Sequence, residues 1–399
     1  MRLYSLIVFF LCAILFIGCE NKNEEGSKNI TQVEQVKDSK DMDKDSNKET
    51  EEAKIESQTE EEVTMQALQK PKSNIVILAT GGTIAGATSS NINTTGYTAG
   101  VVGVEALIEA VPDIKDIANV KGEQVANIDS SNMNDEVWLT LAKRVNNLLN
   151  DPDIHGIVIT HGTDTLEETA IFLHLTTKSD KPVVIVGAMR PSSAISADGA
   201  KNLYNAVSLA ADSRAKGKGV LVVMNDRIQS ARYVSKTHTL NVDAFSSPNS
   251  GDMGYIIDGR VFFYTTPDKP HTTNSEFDIS LLNELPRVDI LYSYANDGSS
   301  IAAQALFTSG TRGIVVAGSG AGSIHKNHKD TLKQLMQEGL IVVMSSRVNN
   351  GIVLASKEDS KLGFIGSNDL NPQKARVLLM LALTKNDNLA DITRIFETY

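Results

Sequence analysis

Short apolar runs alternate with amphipathic stretches along most of the chain, and that alternation predicts parallel sheets wound with helices. Residues 75–79, 156–160, 182–187 and 219–224 are strand-length runs dominated by branched residues. They have the character of strands buried on both faces. Between the first two, Trp138, Leu141, Ala142, Val145, Leu148 and Leu149 recur at helical spacing behind Asn134-Asp135-Glu136. That polar triplet suits a helix N-terminus, and Trp138 reads as a core residue. The texture changes over 265–286, where Pro267, Pro270 and Pro286 stand among polar residues. Neither helices nor central strands tolerate such prolines, which places a domain boundary there. The winding then resumes, with strands expected over 288–292, 313–317 and 341–345 and helices over 300–308, 329–338, 372–383 and 391–396. The predicted fold class is α/β, with two doubly wound domains, the larger one N-terminal.

The first 72 residues do not share this pattern. An almost unbroken apolar run over 3–17 follows Met1-Arg2, too short for a spanning helix and preceded by a basic residue, as in a secretory signal. Gly18-Cys19 directly after it resembles a bacterial lipobox, whose cysteine is lipidated, although Phe16 is a less usual residue at its position. A plain signal-peptidase site or an uncleaved anchor fits the same residues. Residues 20–72 are rich in Glu, Lys, Asp, Ser, Asn and Gln and carry no aromatic side chain. Such a segment buries too little apolar surface to offset chain entropy, so it is expected to be a disordered tether with an end-to-end distance of roughly 40 Å. The domain plan is a signal peptide over 1–19, a charged linker over 20–72, domains over 73–265 and 287–399, and an interdomain linker over 266–286.

Cysteine and charge narrow the function. Cys12 and Cys19 both lie in the N-terminal segment, so the folded part is expected to have no disulfide, thiol nucleophile or cysteine metal site. A formal net charge of -11 argues against nucleic acid, whose phosphates call for a basic face. An acidic soluble enzyme or a binding protein remains.

Candidate chemistry sits where two of the predicted strands end. The run 75–79 breaks sharply at Thr80-Gly81-Gly82 and delivers Thr83 to the strand end. Ligands bind at that edge in open α/β sheets, so Thr83 is a candidate nucleophile or anion donor; an ordinary turn with a solvated threonine fits equally well. The glycine spacing matches neither a dinucleotide fingerprint nor a phosphate loop. The second strand end reads His161-Gly162-Thr163-Asp164-Thr165 and runs straight into a helical segment. Asp164 or Thr165 could serve simply as that helix's cap. Strand-end placement is expected to hold Thr83 and Thr163 outside the packed core, facing one crevice.

These residues resemble the bacterial exported, type II L-asparaginases, also called asparaginase-glutaminases. The resemblance rests on Ala79-Thr80-Gly81-Gly82-Thr83-Ile84-Ala85-Gly86 and Ile159-Thr160-His161-Gly162-Thr163-Asp164-Thr165, and extends through Gly187-Ala188-Met189-Arg190-Pro191 and Asn371-Pro372-Gln373-Lys374-Ala375-Arg376. It covers 74–399 and implies hydrolysis of L-asparagine to aspartate and ammonia, with side activity on glutamine.

Amide hydrolysis needs a nucleophile, a proton acceptor, oxyanion stabilisation and an acid for the departing ammonia. By the resemblance Thr83 is the nucleophile, assisted by the loop residue Tyr97, while Lys236 and Asp164 polarise Thr163. Ser130 and Asp164 hold the substrate's charged ends. Ser131 stands where the family usually has Gln or Glu, a departure that bears on selectivity. Asn296 and Glu358 match residues supplied by a neighbouring subunit, so the expected assembly is a homotetramer built from dimers with shared sites. No metal or organic cofactor is implied, and the membrane is met only through a lipid on Cys19, which places the protein as an exported one on the periplasmic or cell-surface side. A solute-binding lipoprotein and an amidase for a larger amide are the alternatives.

Overall fold

The first run forms a strand because five branched or small apolar residues are buried from both sides, and the other predicted runs behave in the same way. The structure is a computed structural model, and it describes residues 71–87, 92, 98 and 100–399. The expected signal peptide, Cys19, nearly all of the 20–72 linker and Tyr97 lie outside the described residues.

In chain order the elements are β1 (Ser73–Gly81), α1 (Val104–Glu109), α2 (Ile114–Ile117), β2 (Ala118–Ile128), α3 (Asp135–Leu149), β3 (Gly156–Thr160), α4 (Leu166–Thr176), β4 (Val183–Val186), α5 (Gly199–Ala211) and β5 (Val220–Met224). Short strands follow: β6 (Arg227–Ser230), β7 (Ser235–Lys236), β8 (Phe245–Ser246), β9 (Gly254–Ile257) and β10 (Arg260–Phe263). The C-terminal part contains β11 (Val288–Tyr292), α6 (Ser299–Thr308), β12 (Gly313–Gly318), α7 (Lys326–Gln337), β13 (Ile341–Ser346), α8 (Lys357–Lys361), β14 (Ile365–Gly366), α9 (Pro372–Leu383) and α10 (Leu389–Thr398).

The large sheet has the order β10-β9-β6-β5-β4-β3-β1-β2. Its β2, β1, β3, β4 and β5 run parallel, and β6, β9 and β10 extend it in antiparallel fashion. Val76, Leu78, Ile157, Ile159, Val183, Ile185, Val220 and Val222 face α3 and α4. The alternate residues, Ile75, Ile77, Ala79, Val158, Val184, Val186, Leu221 and Val223, face α1, α2 and α5. From β1 the chain steps to β2 on one side and then returns past β1 to β3. This reversal creates a switch point between adjacent parallel strands, and ligand crevices open at such points.

The β4-α5-β5 crossover departs from its neighbours. β3-α4-β4 and β4-α5-β5 step in the same direction, but α4 and α5 lie on opposite faces. Those two crossovers therefore have opposite hands. The other crossovers agree with β3-α4-β4, and with these taken as the near-universal right-handed kind, β4-α5-β5 is left-handed. It brings the start of α5 against the turn after β1, where a Cβ on Gly199 would lie 3.2 Å from Ile84.

The second sheet has the sequential parallel order β11-β12-β13-β14. Ile314, Val316, Val342 and Met344 on one face share a cluster with residues of α6 and α7. Val315, Val343 and Ile365 on the other face share theirs with α9 and α10, and this cluster is continuous with the α3 and α4 face of the first sheet. The segment between the sheets is packed rather than loose. Phe277 and Ile279 are buried in that common core, and the Glu276 N–H donates to the Tyr399 hydroxyl at 2.7 Å. Among the described residues no helix is long and apolar enough to cross a membrane.

Candidate active site

Glycines bring three strand ends together. Gly81 and Gly82 have φ of 102° and 80°, a region that favours residues without a Cβ. A Cβ on Gly82 would lie 2.3 Å from the Gly162 Cα, and one on Gly162 would lie 2.5 Å from Ser130 Oγ. The ends of β1 and β3 and the turn after β2 can therefore approach backbone to backbone. Thr80 Oγ1 donates to the Thr160 carbonyl at 2.9 Å, and the Gly82 N–H to the Ile128 carbonyl at 3.0 Å. Thr83 begins a single 3-10 turn, Thr83–Ala85.

Thr83 and Thr163 are each only 5% exposed. Both side chains are therefore shielded from solvent at their strand ends. The loop after Thr83 is closed at its base by backbone bonds between Ala87 and Thr98, and the Gly100 N–H donates to the Gly82 carbonyl at 3.3 Å.

On the second strand end, Lys236 on β7 reaches Thr163 Oγ1 at 3.0 Å and Asp164 Oδ1 at 2.6 Å with its Nζ. The lysine side chain is 18% exposed and the aspartate side chain 59%, so an ammonium mostly shielded from water spans a buried hydroxyl and a solvated carboxylate. Thr165 occupies the cap position of α4 without a side-chain cap bond. Its hydroxyl donates instead to the Ser130 carbonyl at 2.7 Å. Ser130 is buried and its Oγ accepts the Asp164 N–H at 3.2 Å. These bonds join Ser130, Thr163, Asp164 and Lys236 in one cluster beside the Thr83 turn.

Ser131 is exposed, and both its N–H and its hydroxyl donate to Asp129 Oδ1 at 3.1 Å. Asn296 and Glu358 belong to the C-terminal part and are exposed. Asn296 has a φ of 58° and precedes Asp297, whose Oδ1 accepts the Ser299 N–H at the start of α6. Glu358 stands in the first turn of α8, where Ser356 Oγ accepts the Asp359 N–H at 3.1 Å.

A second layer lies under the cluster. Glu167, only 3% exposed, accepts the Lys236 N–H at 2.8 Å on one oxygen. Its other oxygen accepts Asn371 Nδ2 at 2.9 Å and Gln373 Nε2 at 3.3 Å. Lys374, 2% exposed, donates from Nζ to the Ala231, Arg232 and Val234 carbonyls. Burial pushes its ammonium down to about 7, opposed by the Glu167 charge. Burial likewise pushes Glu168 up to about 7, against the pull of Arg376. His161 is fully buried, and burial pushes it down to about 4. Its Nδ1–H donates to the Gly162 carbonyl at 2.6 Å, while Nε2 meets Thr169 Oγ1 at 2.8 Å. No group of three or more His, Cys, Asp or Glu among the described residues is placed to hold a metal ion.

Comparison with known proteins fits this geometry. Residues 74–269 match the family described as "Asparaginase, N-terminal", and residues 287–396 match "Glutaminase/Asparaginase C-terminal domain". The chain belongs to the asparaginase family. It is 55% identical over 331 residues to L-asparaginase 2 of Bacillus subtilis (strain 168), covering 83% of this chain and 88% of the relative. It is 51% identical over 328 residues to a Haemophilus influenzae protein named "Probable L-asparaginase periplasmic", covering 82% and 93%. A solved structure titled as a probable cytoplasmic L-asparaginase from Campylobacter jejuni superposes with a TM-score of 0.81. It is 65% identical, and the match covers 82% of this chain and all of that one.

Within the family frame, Glu167, Lys374 and His161 are the residues to which sequence reasoning gives no role. One signal for Glu167 is present: it is a carboxylate in α4, a helix whose residues are apolar or small almost all round. Such a helix is expected to be buried on every side, which leaves its charges in need of partners.

Proposed function

We propose that this chain hydrolyses the side-chain amide of L-asparagine to aspartate and ammonia, with a side activity on glutamine. The observation that carries the reading is the placement of Lys236 Nζ 3.0 Å from Thr163 Oγ1 and 2.6 Å from Asp164 Oδ1, beside the glycine turn that presents Thr83. A cation at that distance favours the charged form of an oxygen, which suits a hydroxyl that must give up or relay a proton. In this reading Thr83 Oγ attacks the side-chain carbonyl carbon, the proton it gives up is passed to the amide nitrogen, the C–N bond breaks to release ammonia, and an ester to Thr83 remains. Water then attacks the ester carbonyl, its proton passing through Thr163 towards Asp164 beside the charged Lys236, and Thr83 Oγ leaves as it takes a proton back, which frees aspartate and restores the hydroxyl. Tyr97 assists at the first step. Ser130 and Asp164 hold the amino-acid ends of the substrate. Ser131, with its hydroxyl engaged on Asp129, offers a shorter reach than a Gln or Glu would, and asparagine and glutamine differ by one methylene. Selectivity of that kind is worth about 1–3 kcal/mol.

A solute-binding protein of the same outline would need the cleft but not a lysine polarising a threonine. Incubation with asparagine should release ammonia and aspartate in equal amounts, and glutamine should react more slowly. Binding of either amino acid without release of ammonia would overturn the hydrolytic reading.

The wider plan is proposed with it: a signal over 1–19, a tether over 20–72, domains over 73–265 and 287–399 joined through 266–286, and export with a lipid on Cys19. Replacing Cys19 with Ser should abolish fatty-acid labelling and release soluble enzyme; attachment that persists would refute lipidation. The assembly proposed is a homotetramer of dimers in which Asn296 and Glu358 of one chain complete the site of another. In support, an α-ammonium removed from water benefits from more than one acceptor.

A further inference from the structure

We propose that Glu167 is a positioning residue that sets where Lys236 stands relative to Thr163, and that the C-terminal domain locks it in place through Asn371 and Gln373. The inference rests on the catalytic reading of Thr163, Asp164 and Lys236 and extends it to a group that does not touch substrate. Lys236 lies on β7, a strand of only two residues whose ladder is the equally short pairing with β8. Two contacts hold it from beneath. Its own N–H donates to Glu167 Oε2 at 2.8 Å, and the turn that leads into it is gripped by Lys374 Nζ through the Ala231, Arg232 and Val234 carbonyls. Glu167 and Thr163 lie on the same short stretch across the start of α4. One carboxylate therefore ties the lysine's backbone to the segment that carries its hydroxyl partner.

The second oxygen of Glu167 faces two amides from the start of α9, Asn371 Nδ2 at 2.9 Å and Gln373 Nε2 at 3.3 Å. Each of these three contacts is a donor to an acceptor-only group, so an amide at this position mismatches at least one of them. A buried carboxylate is costly to keep unless its bonds are made. With them made, Glu167 fixes three pieces of backbone at once, and misplacement of a catalytic group by about 1 Å can cost roughly 100-fold in rate.

The test is the set Glu167→Gln, Asn371→Asp and the double variant, with kcat, KM and the pH–rate profile measured on folded full-length protein. In Glu167→Gln the new NH2 opposes a donor. In the double variant it can donate to the carboxylate introduced at position 371, and to Gln373 once that side-chain amide turns over to present its oxygen, which leaves the new glutamine's own oxygen for the Lys236 N–H. Glu167→Gln should lose at least tenfold in kcat with KM for asparagine changed less than threefold, and the pH–rate profile should move. The double variant should regain most of that loss.

A kcat within twofold of wild type in folded Glu167→Gln would overturn the positioning role. So would a loss accounted for by the unfolded fraction alone, with the pH profile unmoved. If Glu167→Gln is recovered unfolded, the double variant carries the test: a folded double variant with kcat still below a tenth of wild type overturns the proposal. Lys236→Met distinguishes the positioning role of Glu167 from the catalytic role of Lys236. An inactive Lys236→Met beside a normal Glu167→Gln refutes positioning alone, whereas an active Lys236→Met refutes the catalytic reading beneath it.

Discussion

His161 is buried directly behind Gly162, and its tautomer is fixed by its neighbours. Nδ1–H donates to the Gly162 carbonyl, and Trp138 Nε1 donates to Thr169 Oγ1 at 2.8 Å, which leaves the threonine's own proton for His161 Nε2. A second proton on the ring has no acceptor in this arrangement, and burial holds the folded value down to about 4. An unfolded histidine has a pKa near 6.5. Between about 6.5 and 4 the unfolded chain binds the proton and the folded one does not, so stability is full above that window and falls as pH drops through it. The histidine's share is up to about 3 kcal/mol. His161→Gln, which can donate to one neighbour and accept from the other, should therefore lose less stability than wild type between pH 7.5 and 4.5. Part of the loss should remain, because His174, His271 and His328 are also held down by burial. Denaturant unfolding at the two pH values measures it, and an equal loss in both proteins would contradict the assignment. Thr83, Thr163 and Asp164 are legible in the sequence because glycine turns after apolar runs mark strand ends. Glu167 and Lys374 are not: their importance comes largely from residues far away along the chain, and local spacing carries no trace of such contacts.

Elements with strong local signals are the legible ones. The polar triplet at Asn134 marks a helix start, and its Oδ1 accepts the Val137 N–H at 3.0 Å at the head of α3. The helical spacing that puts Trp138 in the core agrees with its stacking on Phe172, ring centroids 5.1 Å apart. The strands β1, β3, β4, β5, β11, β12 and β13 all fall on the predicted apolar runs. Elements with weak or mixed patterns escape such a reading. β2 is half-exposed along its length, as expected of an edge strand, and its polar residues hide it from a search for buried runs. β6, β9 and β10 are four residues each, and their antiparallel pairing arises from tertiary context. The left-handed β4-α5-β5 crossover is also beyond reach, because the hand depends on which face α5 covers. The 265–286 segment reads as a linker from its prolines, yet Phe277 and Ile279 anchor it in the core. Apolar residues scattered among polar ones and prolines do not announce burial.

Across the molecule the two sheets share one hydrophobic core, and Glu167, bonded to Asn371 on one oxygen and to the Lys236 N–H on the other, ties the C-terminal part to β7. The proposed tetramer adds a further level, in which Glu358 of one chain completes the site that contains Thr83 of another. If two sites are shared in this reciprocal way, a dimer of one Thr83→Ala chain and one Glu358→Gln chain holds one doubly altered site and one unaltered site. Co-assembly of the two weak parents should restore activity towards half the wild-type value per dimer. Verified mixed assemblies no more active than either parent would contradict the shared site. The proposed amide hydrolysis depends on two strand-end threonines, one presented by a glycine turn and the other polarised by Lys236. The most direct test is the rate of ammonia release from asparagine by wild type, Thr83→Ala and Thr163→Ala, each confirmed to be folded. Wild type should release ammonia steadily and each variant should lose at least 100-fold, whereas near-normal release by either variant would contradict the role given to that threonine.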